Sequence, residues 1–300
     1  MKYIALVILA ALCGCSIGGS ASRKAYKVGP VVYTAPRGWK ISGIANHKKG
    51  LMVCIYNNQS RHDSKILLNG VIYEGRDETI GMPVKDGNQL VAIGENGRVH
   101  FIDDNGQVTH GPSTTFATAA AILGGKAVYS DQLDGKPPTL KRASDGSVIS
   151  QMGGNGIVNQ IAVDGSAWVC AISEGNKTGF AFSDGSFVAT SKAFGVVRIG
   201  GKFIGAVNNQ IGYVAKGGFD AFATIACEKI THLNVLKDGR VWLATSAPDK
   251  VGYLDGKSFK EVGSINDGST GMFDARVIDG YWARSAGDTG QVLALLAGEG

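Results

Sequence analysis

Seven glycines, Gly50, Gly87, Gly125, Gly165, Gly201, Gly239 and Gly280, recur roughly 36 to 41 residues apart, each between two apolar runs. The runs span Ile44 to Ile55, Met82 to Ile93, Ala119 to Tyr129, Ile161 to Ala171, Val196 to Val207, Leu233 to Ala244 and Phe273 to Arg284. Such a period marks a stack or ring of like units, because one unit cannot bury its own apolar face. Its length suits four strands of ordinary size. A second turn follows in six units, at Asn69-Gly70, Asn105-Gly106, Asp145-Gly146, Asp184-Gly185, Gly217-Gly218 and Asp255-Gly256. Asn-Gly and Asp-Gly turns match the right-handed strand twist and make tight antiparallel hairpins. The expected fold is therefore all-β, a seven-bladed β-propeller of four-stranded antiparallel blades. A β-sandwich pair, or six blades with one degenerate unit, competes for the same pattern.

The seventh unit offers only three strands, Phe273 to Ile278, Tyr281 to Ser285 and Gln291 to Leu296. An extended stretch before the first unit, Val28 to Ala35, resembles the outer strand Gly70 to Gly75. It is expected to supply the missing strand as an N-terminal Velcro strand, since an open edge would template pairing with other chains.

The first residues have the layout of an export signal: Lys2, an apolar run from Tyr3 to Leu12, and small Gly14 before a cut. The run is too short to span a bilayer, which takes about 20 residues. Leu12-Cys13-Gly14-Cys15 resembles the lipobox of bacterial lipoproteins. That resemblance implies a signal peptide at 1–14, lipidation of Cys15, a tether at 15–27 and a propeller domain at 28–300. With Ser16 after the cysteine it also implies a cell-envelope location, lipid-anchored at the outer membrane and facing the periplasm or the surface. An ordinary signal cleaved after Gly19 to Ala21 is the alternative.

The chain has 300 residues, 44% hydrophobic and 18% charged, with a formal net charge of +5. Its basic residues are scattered, with no dense run beyond Arg23-Lys24 and His47-Lys48-Lys49, so nucleic acid is not expected as a partner. Its 44 glycines beside 7 prolines indicate many tight turns. Cys54, Cys170 and Cys227 lie in apolar runs and read as buried free thiols. No spacing of metal ligands occurs, and no cofactor or metal is expected.

In an up-and-down blade the first and third connections fall on one rim and the second and fourth on the other. The glycine turns take the first rim; longer, more polar connections take the second, which is the expected working face because loops on a rigid scaffold carry function. Its candidate binding residues are Trp39, Asn58, Arg61, His62, Asp63, Asn176, Lys177, Asn209 and Lys250, with Glu78 and Glu228 in connections between blades. A second set on the innermost strands could line the central channel: His47, Gln160, Arg198, His232, Asn234, Asp274 and Arg276. Strand alternation lets only some of these face inward. Asp274 and Arg276 also read as an ion pair, and His100 as a structural histidine.

Nucleophile-elbow, zinc-protease and phosphate-loop motifs are all absent, and Asp103-Asp104-Asn105-Gly106 lacks calcium-ligand spacing. No catalytic residue can be assigned. The plan resembles the propeller lipoprotein of the outer-membrane β-barrel assembly machinery, though that family has eight blades and a longer chain. The expected function is a membrane-tethered binding or scaffold module presenting its loop face to an envelope protein or glycan. A glycan lyase or hydrolase with its site at the channel mouth is the alternative, and a phage-encoded envelope lipoprotein a third.

Overall fold

The computed structural model describes residues 25–57, 59, 63–133, 135–265 and 276–298. Its described residues form twenty-eight strands. β1 (Tyr26–Thr34) comes first. Blade 1 holds β2 (Trp39–His47), β3 (Gly50–Asn57), β4 (Asp63–Leu67) and β5 (Val71–Gly75). Blade 2 holds β6 (Ile80–Asp86), β7 (Gln89–Gly94), β8 (Arg98–Ile102) and β9 (Val108–Ser113). Blade 3 holds β10 (Ala117–Leu123), β11 (Lys126–Asp131), β12 (Thr139–Arg142) and β13 (Val148–Gln151). Blade 4 holds β14 (Asn155–Asp164), β15 (Ala167–Lys177), β16 (Gly179–Phe182) and β17 (Phe187–Ala189). Blade 5 holds β18 (Ala193–Ile199), β19 (Lys202–Val207), β20 (Gln210–Ala215) and β21 (Gly218–Thr224). Blade 6 holds β22 (Lys229–Val235), β23 (Val241–Ser246), β24 (Asp249–Asp255) and β25 (Ser258–Ile265). Blade 7 adds β26 (Arg276–Ile278), β27 (Tyr281–Ala286) and β28 (Thr289–Ala297).

Every blade is a four-stranded antiparallel sheet, and the seven form a β-propeller. In blade 7 the order is β1-β28-β27-β26, with Tyr26 opposite Ala297 and Thr34 opposite Gln291. The strand begins at Tyr26, two residues before the stretch read from sequence. Cys15, the signal segment and residues 16–24 of the tether lie outside the described residues.

Burial follows position in the blade. Second strands are covered on both faces by neighbouring blades, so they read as continuous apolar runs, as in Val241–Ser246, buried throughout. Outermost strands such as Val148–Gln151 are largely solvated. The core is accordingly split into seven clusters, one per interface between adjacent blades. Fully buried Trp242 and Trp282 fill the interface of blades 6 and 7. The glycine turns of the repeat take positive φ at all seven first hairpins, from +61° at Gly87 to +135° at Gly50. Cys54, Cys170 and Cys227 are free, the first two fully buried.

Candidate functional site

The innermost strands share an irregularity near their starts. Each of β2, β6, β10, β14, β18 and β22 has a register shift, around Ser42, Met82-Pro83, Thr118, Asn159, Phe194 and Thr231 respectively. A bulge adds a residue to one strand and re-aims the side chains beside it. Four of these positions, Ser42, Met82, Thr118 and Asn159, line a cavity at the mouth of the central channel on the long-loop rim. The cavity holds about 360 Å³, and Tyr56, Thr79, Glu95, Phe116, Ile157 and Arg276 complete much of its wall. A second chamber of about 210 Å³ lies beyond it, lined among others by Ile44, Ala120, Gln160, His232 and Asn234. Met82, Asn159 and Arg276 belong to both walls and mark the waist.

Loops at the mouth are held by backbone and carboxylate hydrogen bonds. Glu95 donates its amide to Thr79 O at 2.8 Å and accepts from the Ala117 amide at 2.8 Å. The Thr115 and Phe116 amides donate to Asp131 Oδ1 at 2.9 and 2.8 Å, and Lys141 closes on Asp131 Oδ2 at 2.6 Å. Phe116 is therefore presented on a fixed turn.

Most of the channel residues expected from sequence staple one blade to another. Gln160 reaches from blade 4 past Gly195 to blade 6, donating Nε2 to Leu233 O at 2.7 Å and accepting from the Leu233 amide at 3.4 Å. Asn234 Nδ2 donates to Val277 O at 3.0 Å, and His232 Nδ1 accepts from the Val277 amide at 3.4 Å. Burial, and then the charge of Arg276, push the His232 imidazole down to about 3. His47 bonds Asp103 O at 2.9 Å and accepts from Lys49 at 3.1 Å, beside the turns and away from the chamber walls. Arg198 points out to Asp164 at 2.8 Å, a half-exposed pair between blades 5 and 4. Asp274 lies outside the described residues.

Of the loop-face candidates, Asn58, Arg61 and His62 also lie outside the described residues. Trp39 opens β2 with Lys65 Nζ 5.4 Å above its ring, and Asp63 opens β4 opposite Asn57. Asn176 and Lys177 are exposed at the end of β15, where Lys177 lies 4.6 Å over Phe187. Asn209 donates to Ile225 O at 3.2 Å, and Lys250 pairs with Glu261 at 3.1 Å. These residues share a rim but come from blades 1, 4, 5 and 6. The rims also differ less in length than the sequence suggests, since Asn208-Asn209, Ala247-Pro248 and Gly287-Asp288 are two-residue connections on the working rim. On the opposite rim a groove of about 560 Å³ between blades 4 and 5 is lined by Trp168, Phe182, Phe203, Tyr213, Lys202 and Lys216.

Glu78, read from sequence as a candidate of the working face in a connection between blades, is 4% exposed. Tyr73 donates to its Oε1 at 3.0 Å, His100 Nε2 stands 3.2 Å from Oε2, and His100 Nδ1 is 3.2 Å from His110 Nδ1. Burial raises the carboxyl's proton affinity, but hydrogen bonds and charge from His100, with the Tyr73 bond, outweigh it and hold Glu78 below the usual carboxylate range. His100 is completely buried within this clasp between blades 1 and 2, a structural place. Among the described residues, no group of three or more His, Cys, Asp or Glu is placed to hold a metal ion.

Sequence reasoning missed Ser42, Thr79, Glu95, Phe116, Thr118 and Asn159. Asn159 is next to Gln160, which was found; strict alternation would have sent the two to opposite faces, and the bulge lets both line the chamber.

No protein-family model matches the chain, and no curated relative does. Solved structures with the same architecture include a catalytically inactive variant of virginiamycin B lyase from Staphylococcus aureus, solved with quinupristin. It is 13% identical with a TM-score of 0.65, over 90% of this chain and 100% of that one. A streptogramin B lyase is 14% identical with a TM-score of 0.63, over 93% and 100%. The WD40 β-propeller domain of Doa1 is 11% identical with a TM-score of 0.65, over 90% and 97%. Likeness at this identity shows the propeller fold, which here links two lyases and a WD40 domain.

Proposed function

We propose that this propeller is a binding module, tethered to a membrane through a lipid on Cys15, that presents its long-loop rim and channel mouth to an envelope protein or glycan. The observation that carries the reading is the mouth cavity. It is concave, about 360 Å³, and combines aromatic walls with a few convergent polar groups on fixed loops, the pattern expected of a ligand site. The groove on the opposite rim is mostly apolar, and its Asp184 and Lys216 already satisfy each other.

A lyase reading has the likeness to two lyases in its favour. Among the described residues His232 is the imidazole facing the channel, and it lies in the inner chamber with Nδ1 engaged by Val277. Glu95 is the one described carboxylate lining the mouth, so a pair for acid and base catalysis is not assembled there from described residues.

Cross-linking capture from envelope membranes with the intact lipidated chain tests the binding reading. Changing Phe116, Lys177 and Asn209 together to Ala should cut partner recovery at least about tenfold, equivalent to about 1.4 kcal/mol. Changing Lys126 and Lys257 to Ala on the opposite rim should leave recovery unchanged. Loss of the partner in the second variant and retention in the first would overturn the assignment.

A further inference from the structure

We infer that the waist of the channel is a binding site for a single carboxylate, held by Arg276. The inference rests on the binding reading above and names the chemistry that the mouth receives.

Among the described residues, Arg276 is a partly buried channel cation with no carboxylate paired to it. The buried guanidinium groups of Arg240 and Arg284 are paired with Asp238 and Asp249, and half-exposed Arg198 with Asp164. Arg276 Nε is buried with no hydrogen-bond partner, and no described carboxylate forms an ion pair with the group. A guanidinium stays protonated at any physiological pH, so it cannot relieve the cost of desolvation by losing its charge. Among the described residues no counter-ion is paired with it. Its charge acts on its neighbours in the same sense: after burial, it adds to the lowering of the His232 imidazole, and it opposes the effect of burial on the Cys54 thiol.

Position makes the group useful. Arg276 lines both chambers, so a ligand entering from the long-loop rim meets it at the end of the mouth cavity. Its planar fork matches a carboxylate bidentately. Thr79 and Thr118 stand in the same wall, with Tyr56 and Phe116 supplying aromatic surface for the rest of the ligand. Charge selects a carboxylate over a phosphate. Arg276 carries one positive charge, so it balances a monoanion, whereas a dianion leaves one negative charge unpaired in a confined space.

Calorimetry on the mature full-length chain decides the matter. D-Glucuronate and N-acetylglycine should bind at least tenfold more tightly than D-glucose and N-acetylglycinamide, and no more weakly than D-glucose 6-phosphate. Arg276→Gln should remove that preference, and Arg276→Lys should keep part of it. Equal affinity for acids and neutral analogues, undiminished acid binding by Arg276→Gln, or a preference for the phosphate would each overturn the inference. The wild-type selectivity is read even where a variant folds poorly. Capture of the envelope partner is measured alongside. Retained capture without acid binding overturns the carboxylate site while the rim reading stands.

Discussion

At His232 the channel acts on one proton. In the folded chain desolvation and Arg276 push the imidazole from its ordinary 6.5 down to about 3, so it is neutral at pH 5. The unfolded chain takes up that proton below about 6.5. Between the two values the unfolded state binds more protons, so stability falls as pH falls, by at most about 1.4 kcal/mol per pH unit from this group. His110 is lowered as well, by burial and the charges of His100 and Arg98, so the comparison must be between variants. His232→Gln should show a shallower loss of denaturation midpoint between pH 6.5 and 4 than the parent; equal slopes would show that His232 is not held neutral. Glu78 gives a second test at this scale. A methyl group added at Gly97 would collide with Glu78 Oε2, and that carboxylate is fixed by Tyr73 and His100. Gly97→Ala should therefore cost about 1 to 3 kcal/mol by overpacking. At Gly217 nothing lies within 4 Å of the added carbon. Gly217→Ala should stay within about 0.5 kcal/mol in urea titrations.

Among the elements, β1 carries the largest consequence for its length. It is hydrogen-bonded to β28 and packs Tyr26 edge-on against Trp242 with ring centroids 4.9 Å apart. Deleting Tyr26–Thr34 exposes the edge of β28 and uncovers part of the interface between blades 6 and 7. The expected loss is several kcal/mol from a total near 5 to 15 kcal/mol, seen as a fall in Tm with a rise in aggregation. An unchanged Tm would mean that the strand contributes nothing to blade 7. The blades were legible in the sequence because a tight hairpin needs positive φ and advertises it with glycine, as at Gly87, Gly165 and Gly239. The channel was not legible for a reason just as local. Reading which residues face the axis assumes a period of two, and the bulges at Ser42, Thr118 and Asn159 break that period where it matters most. Arg198 and His47, beyond their strands' bulges, turn to Asp164 and Asp103 at the opposite rim, while among the described sequence candidates Arg276 alone reaches the mouth wall.

On the scale of the whole molecule, the direction of β1 decides how an anchored propeller would stand on its membrane. β1 runs as an outer strand and ends at the connection 35–38, which belongs to the long-loop rim along with the mouth. Its start, Tyr26, is therefore at the short-turn rim. The ten residues between the proposed lipidated Cys15 and Tyr26 reach at most about 33 to 36 Å when fully extended. A lipid at Cys15 thus keeps the short-turn rim near the bilayer and aims the channel mouth away from it. That rim also carries exposed Lys48, Lys49, Lys126, Lys202, Lys216 and Lys257, suited to anionic headgroups. Lysine acetylation of the lipidated protein on vesicles containing anionic lipid should slow at Lys126, Lys202 and Lys257 relative to the Cys15→Ala protein in solution. Lys136, Lys177 and Lys192, exposed on the long-loop rim, should react at the same rate in both. Protection of the long-loop lysines instead would place the mouth against the membrane and remove the outward-facing geometry on which partner capture depends.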